Sequence, residues 1–132
     1  MEETYRILKI NSNDLRVYEK KINRGLESLQ EEVDGLIEVP YISDEFIKRG
    51  IDIVINEEGK LRNLKYSIAL VNENLVLLDL IAGPVFFIGN DNGRFTGLTD
   101  EQIEFIKTKL KNQHFILETE NSKEEILVMD IA

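Results

Sequence analysis

Two short runs constrain this chain more than any other feature. Ile53-Val-Ile-Asn-Glu-Glu-Gly-Lys-Leu61 joins an apolar alternation to a tight polar turn, and Val33-Asp-Gly-Leu-Ile-Glu-Val39 joins the end of a helical pattern directly to a strand-like one. In the first, Ile51, Ile53 and Ile55 face one side and Asp52 and Val54 the other, the two-residue period of a β-strand. Glu57-Glu-Gly59 then reads as the bend of a β-hairpin, with Gly59 expected at positive φ and residues 60–64 returning. In the second, Leu26, Leu29 and Val33 make one helical stripe, with Asn23 as N-cap and Gly35 as left-handed C-cap. Well-capped helices among hairpin-joined strands predict an α+β fold. The expectation is a largely antiparallel sheet with two main helices, about 24–34 and 99–112.

The other elements follow from the same periodicities. Thr4 to Ile10 is a predicted strand, Asn11 to Asp14 a turn, and Leu15 to Ile22 a strand in preference to a helix. Leu36 to Ile42 is a strand that lies at an edge or ends at Pro40, which has no amide to donate. Ser43 to Gly50 fits one helical turn or a loop, and Leu75-Val-Leu-Leu78 fits a buried strand or a short helix. Val85 to Ile88 is a strand and Asn90 to Gly93 a turn. Thr99-Asp-Glu-Gln102 is a capping box opening a helix lined by Ile103, Ile106 and Leu110, with acids near its start and lysines near its end. Phe115 to Glu118 and Ile126 to Ile131 suggest a C-terminal hairpin about Asn121-Ser-Lys123. A chain of 132 residues that is 42% hydrophobic suits a single domain, 1–132, with its own core.

The chemistry-bearing residues are sparse. There is no cysteine, which excludes disulfides and thiolate metal sites. His114 is the one histidine, expected at the surface or capping a helix, so a histidine-built metal site is excluded within one chain. The Asn90–Gly93 turn has few acids and no closing glutamate for a calcium loop. Nucleophile-elbow and phosphate-loop motifs are absent from the sequence. The expectation is no metal, no cofactor and no catalysis, with a hydrolase the least favoured class. The first residues carry no charged-then-apolar leader, and the run Leu75 to Leu80, broken by Asp79, is far too short to span a membrane. A cytoplasmic protein without a membrane partner is expected.

The net charge of −9 speaks for solubility and against direct nucleic-acid binding, which needs clustered cations. That charge is uneven. Residues 67–132 hold eleven acids against five bases, while residues 41–66 hold five of each. Lys48, Arg49, Lys60, Arg62 and Lys65 therefore fall in the least acidic stretch, with Tyr66 beside them. Glu38 stands alone between Ile37 and Val39, on the wet face of its strand or lining a pocket. Of the paired carboxylates, Glu57-Glu58 on the turn is expected to face water.

Val33-Asp-Gly-Leu-Ile-Glu-Val39, Ile55-Asn-Glu-Glu-Gly-Lys-Leu61, Ala82-Gly-Pro-Val-Phe-Phe-Ile-Gly89 and Leu98-Thr-Asp-Glu-Gln102 occur in an order that resembles an uncharacterised domain family, domain of unknown function 3846. The resemblance runs over roughly residues 25–107 and implies a phage or mobile-element origin, with the cytoplasm of the host as the place of action. It implies no mechanism. Asp34 stands where the family pattern has the first of two glycines, and Lys65-Tyr66-Ser67 where it has Asn-Arg.

Two functions from different classes are expected on these grounds. One is capture, without conversion, of an anionic small molecule such as a host nucleotide signal, as a counter-defence device. In that reading Lys48, Arg49, Lys60, Arg62 and Lys65 clamp phosphates, Tyr66 stacks a base, and Glu38 and Asn56 supply hydrogen bonds. A homo-oligomer is expected, with the site at a subunit boundary. The alternative is an acidic inhibitor of a host defence or nucleic-acid-processing enzyme.

Overall fold

The run Val85-Phe-Phe-Ile88 has no polar alternation, and the fold gives the reason. In the computed structural model, which describes residues 4–111, 114–118 and 120–132, β7 (Val85–Asp91) lies between β1 (Thr4–Ile10) and β4 (Ile51–Asn56), antiparallel to both. β2 (Val17–Asn23) extends the sheet beyond β1, β3 (Ile37–Glu38) beyond β4, and β8 (Arg94–Thr96) folds back on β7. The centre of this six-stranded sheet is buried on both faces. Leu8, Ile53 and Phe87 point one way, and Ile7, Val54 and Phe86 the other. A strand covered on both sides needs apolar residues in succession rather than in alternation.

The two faces have different covers. α1 (Leu26–Val33) lays Leu29 and Val33 on Ile7, Val54 and Phe86. The opposite face shares a core with a four-stranded sheet in the order β6 (Leu77–Ala82), β5 (Tyr66–Val71), β10 (Lys123–Asp130), β9 (Phe115–Glu118). Its pairs are antiparallel except β5 with β10, which run parallel. Ile68, Leu70, Leu127 and Met129 enter the shared core, joined by Ile103 and Ile106 of α3 (Asp100–Lys109) and Phe46 of α2 (Asp44–Lys48). Phe46 is fully buried, edge-on to Phe105 at 5.1 Å and 6.4 Å from Phe87. Its burial fixes a helix too short to be stable alone. The architecture is α+β with largely antiparallel sheets, as expected.

Several local expectations hold. Thr99 accepts from the Gln102 amide while the Gln102 side chain accepts from the Thr99 amide, so α3 opens on a complete capping box. Of the two alternatives for Ser43 to Gly50 the short helix is the one that forms, and Ser43 caps it through the Phe46 amide. Asn92 and Gly93 both take positive φ in the β7–β8 turn, as a two-residue hairpin requires. β9 and β10 form the expected C-terminal hairpin, although Thr119 in its bend lies outside the described residues.

Others are corrected. α1 begins after Gly25, at φ 119, because Asn23 is held in β2 opposite Thr4. The left-handed residue that ends α1 is Asp34 (φ 60, ψ 35), not Gly35. Aspartate tolerates this conformation at modest cost, so Asp34 can occupy a position where the family pattern has glycine. α3 spans Asp100–Lys109 rather than 99–112, of which Asn112 is outside the described residues. The strand expected over Leu36 to Ile42 pairs at Ile37–Glu38 alone, on the sheet edge that Pro40 implied.

The largest correction is at Glu57-Glu-Gly59. β4 pairs with β3 and β7, and the chain after it makes helical turns: Arg62 N–H donates to Glu58 O at 2.8 Å and Leu64 N–H to Gly59 O at 3.0 Å. This crossover carries the chain into the second sheet instead of back along β4. Gly59 is absent from the positive-φ glycines; it is needed because a Cβ there would overlap the carbonyl oxygen of Ala82. Leu75 to Leu78 is also corrected: these residues are each more than half exposed rather than buried, and only Leu77 and Leu78 are strand, opening β6.

α1 is pinned by an ionic contact as well. Glu32, buried under the helix, accepts from Lys9 Nζ at 2.9 Å and Lys20 Nζ at 2.8 Å. Burial alone would raise its pKa, but the hydrogen bonds from Lys20 and Lys9 outweigh it and hold the carboxyl below its ordinary value.

Two outcomes are expected. Gly59→Val lowers stability by about 2 kcal/mol, the cost of forcing volume into a closed contact, whereas Glu58→Ala stays within about 0.5 kcal/mol; urea midpoints in the reverse order would contradict the crossover geometry. Because the folded pKa of Glu32 is depressed, its contribution is complete above the ordinary glutamate value of about 4.3 and is lost as pH falls through the folded value. Glu32→Gln should therefore cost about 2–3 kcal/mol at neutral pH, mainly by stranding Lys9, and its deficit should shrink in acid. A deficit that stays constant from neutral pH into acid would show that the ion pair contributes nothing.

Candidate functional site

A cleft of about 230 Å³ opens where the edges of the two sheets approach each other. One wall is Glu38 and Pro40, at and just beyond β3, with Ile55 and Asn56 at the end of β4. The crossover forms the floor with Gly59, Lys60 and Leu61, and the far wall is Asp79 to Ala82 of β6. Four consecutive residues of a strand alternate between faces, so a cavity touching all four meets β6 along its outer edge. The volume lies below the usual range of small-molecule pockets, about 300–1,000 Å³. It suits inserted side chains better than a nucleotide.

The electrostatics are acidic. Glu38, Glu57 and Asp79 line the cleft with Lys60, whose Nζ sits 2.8 Å from Asp79 Oδ1. Glu38 and Glu57 are exposed and make no ion pair among the described residues. Leu61, at 83% exposure, caps one end, and Leu77 and Leu78 continue β6 beyond Asp79 with about half their surface open. Across Pro40 lies a second groove of about 210 Å³, where Tyr41 and Ile47 are exposed over Phe46. Among the described residues no group of three or more His, Cys, Asp or Glu is placed to hold a metal ion.

Three of the eight residues singled out in the sequence meet here: Glu38, Asn56 and Lys60. Asn56 contributes mainly backbone order. It is 3% exposed, its Nδ2 donates to Val33 O at 2.8 Å, and its Oδ1 accepts from the Glu58 amide at 2.7 Å. The remaining bases do not converge. Arg62 donates to Asp34 O at 2.7 Å, closing the end of α1, and Lys65 Nζ donates to Ser12 O at 2.9 Å. Arg49 pairs with Glu45 and lies 4.1 Å above the Phe105 ring. Lys48 stands exposed on α2, and Tyr66 packs on the outer face of the second sheet beside Ala69 and Val128. His114, outside this site, is exposed with Nδ1 3.1 Å from Glu125 Oε2.

Asp79, Leu61, Leu77 and Leu78 were not among the expected site residues. The signal was present as an aspartate interrupting the apolar run Leu75 to Ile81. A charge in such a run marks a strand that is not closed on both sides.

Asn56 and Lys60 should separate experimentally. Asn56→Ala is expected to lower stability by about 2 kcal/mol, since it leaves the Val33 carbonyl and Glu58 amide unpaired. Lys60→Ala should stay within about 0.5 kcal/mol, as exposed pairs do. Thermal melts with equal losses would place Lys60 in the fold rather than at the cleft.

The profile of a family described as Domain of unknown function (DUF3846) matches residues 5–111, from β1 through α3, and stops before β9 and β10. No curated protein and no solved structure matches the chain. The matched span covers most of the sequence and contains every wall of the cleft, so the chain belongs to the DUF3846 family.

Proposed function

We propose that this protein acts by binding alone, presenting an acidic, leucine-rimmed cleft to a basic surface of another protein. The observation that carries the reading is the charge balance of the cleft. Glu38 and Glu57 are unpaired among the described residues, the one lysine is already bonded to Asp79, Leu61 stands open in the cleft, and Leu77 and Leu78 are exposed further along β6. Unpaired carboxylates beside exposed leucines complement Lys and Arg side chains carried on an apolar backing, and the net charge of −9 would speed encounter with such a partner. The partner class is a defence or nucleic-acid-processing enzyme, whose substrate channel is basic by necessity. Counter-defence in the cytoplasm of a phage-infected host is the setting we infer.

Capture of an anionic nucleotide draws less support. Arg49, Lys60, Arg62 and Lys65 direct their charge to acceptors within the fold rather than into one pocket. Catalysis would need a group shielded from water, and the cleft carboxylates are open to it.

The test is cross-linking and affinity recovery from host cells, comparing the native protein with the Glu38→Lys, Glu57→Lys double variant over a salt series, alongside calorimetry against cyclic and linear nucleotides. A specific basic protein should be recovered in stoichiometric amount, and charge reversal should weaken it by about tenfold or more, which is about 1.4 kcal/mol. Tight nucleotide binding with the ligand recovered intact would replace this reading with small-molecule capture. Altered ligand would make the protein an enzyme.

A further inference from the structure

We propose that the outer edge of β6 accepts an extended basic segment of the partner as a fifth strand of the four-stranded sheet, and that the Lys60–Asp79 pair shields this edge until the segment arrives. The inference rests on the basic-partner reading above and specifies its geometry.

β6 ends its sheet, and its sole ladder among the described residues is with β5. An unpaired strand edge is a template for another chain, and folds usually blunt it with lysines, proline or shortness. The other edges are blunted in this way. β2 carries Glu19, Lys20 and Lys21, β3 pairs over two residues before Pro40, and β9 spans four residues. β6 has six residues, Leu-Leu-Asp-Leu-Ile-Ala, with neither lysine nor proline; the crossover closes its last residue, where Gly59 lies against Ala82 O, and the edge available to a strand is Leu77 to Leu80.

Its one charge occupies the edge itself. Asp79 Oδ1 accepts from the Leu80 amide at 2.8 Å and from Lys60 Nζ at the same distance. The Leu80 N–H is thus turned away from β5 and held by a side chain where a neighbouring strand would place a carbonyl. Lys60 ties that carboxylate to the crossover across the mouth of the cleft. Both side chains are more than half exposed, so the bridge is worth little and can open.

The charge pattern selects the occupant. A second copy paired edge to edge would bring two acidic clefts together on chains of net charge −9. A segment alternating basic and apolar residues would set its cations toward Glu38, Glu57 and the released Asp79, and its apolar side chains on Leu77 and Leu78. Main-chain bonds would supply affinity and the alternating side chains specificity, the usual division in strand addition.

The experiment uses three synthetic peptides of roughly ten residues, the length of a long strand: alternating Val and Lys, the same peptide N-methylated at every second amide, and alternating Val and Glu. Binding to the full chain is measured by calorimetry, and protection of the Leu80 amide by hydrogen exchange. The Val–Lys peptide should bind and protect Leu80, the N-methylated peptide should bind at least about tenfold more weakly, and Lys60→Met, which frees Asp79, should tighten the Val–Lys peptide several-fold. Equal binding of the N-methylated peptide, or no protection of Leu80, would overturn strand addition while leaving the basic-partner reading intact. Equal binding of the Val–Glu peptide would overturn both. Light scattering that shows a dimer dispersed by Leu78→Lys, with no peptide bound, would assign the edge to a second copy instead.

Discussion

The carboxamide of Asn56 ties the end of α1 to the start of the crossover. Its nitrogen donates to the last turn of α1 through Val33 O, and its oxygen accepts the Glu58 amide that begins the crossover. Once the crossover starts at that angle, Gly59 passes against Ala82 without room for a Cβ, Arg62 reaches Asp34 O, and Lys60 and Leu61 arrive at the edge of β6. A buried amide with both ends satisfied fixes direction as well as energy, because any other path leaves polar atoms dry and unpaired. The cleft is a consequence of that path.

The six-stranded sheet supplies the rigidity against which the path is set. β7 is buried on both faces and paired on both sides, so its neighbours β1 and β4 have little freedom to shift register. Burial declines away from this strand toward β3 and toward the start of β6, where exposed leucines and unpaired carboxylates lie. Binding surfaces commonly sit where a rigid scaffold gives way to open edges. Three carboxylates meet at one such place, with Glu38 and Glu57 on one side and Asp79 on the other.

Much of the fold was legible from local signals. The Thr99–Gln102 capping box, the Asn92-Gly93 turn, the strand alternations at Thr4 to Ile10 and Ile51 to Ile55, and the C-terminal hairpin all depend on neighbouring backbone preferences, which a sequence states directly. Glu38 stood out as a charge between Ile37 and Val39 and Lys60 as one of the bases of residues 41–66, and the fold brings both to the cleft. The family resemblance also rested on contiguous motifs and was confirmed over a wider span than the motifs themselves covered.

What local signals left open was where each chain end and each polar group would find its partner. Asn-Glu-Glu-Gly bends a chain equally well into a hairpin or into a helical crossover; the distant Ala82 carbonyl and the Val33 carbonyl chose the crossover. Asp34 rather than Gly35 took the left-handed position, where Arg62, twenty-eight residues away, bonds its carbonyl. The five bases of residues 48–65 looked like one patch along the sequence and were dispersed by the fold to Glu45, Asp79, Asp34 and Ser12, with Lys48 left on its own helix. Sequence alone determined the elements whose signals are complete within a few residues, because propensity, capping and periodicity are short-range. Tertiary structure decided which charges meet and which leucines stay open, because satisfaction of polar groups and closure of sheet edges are settled between residues far apart in the chain.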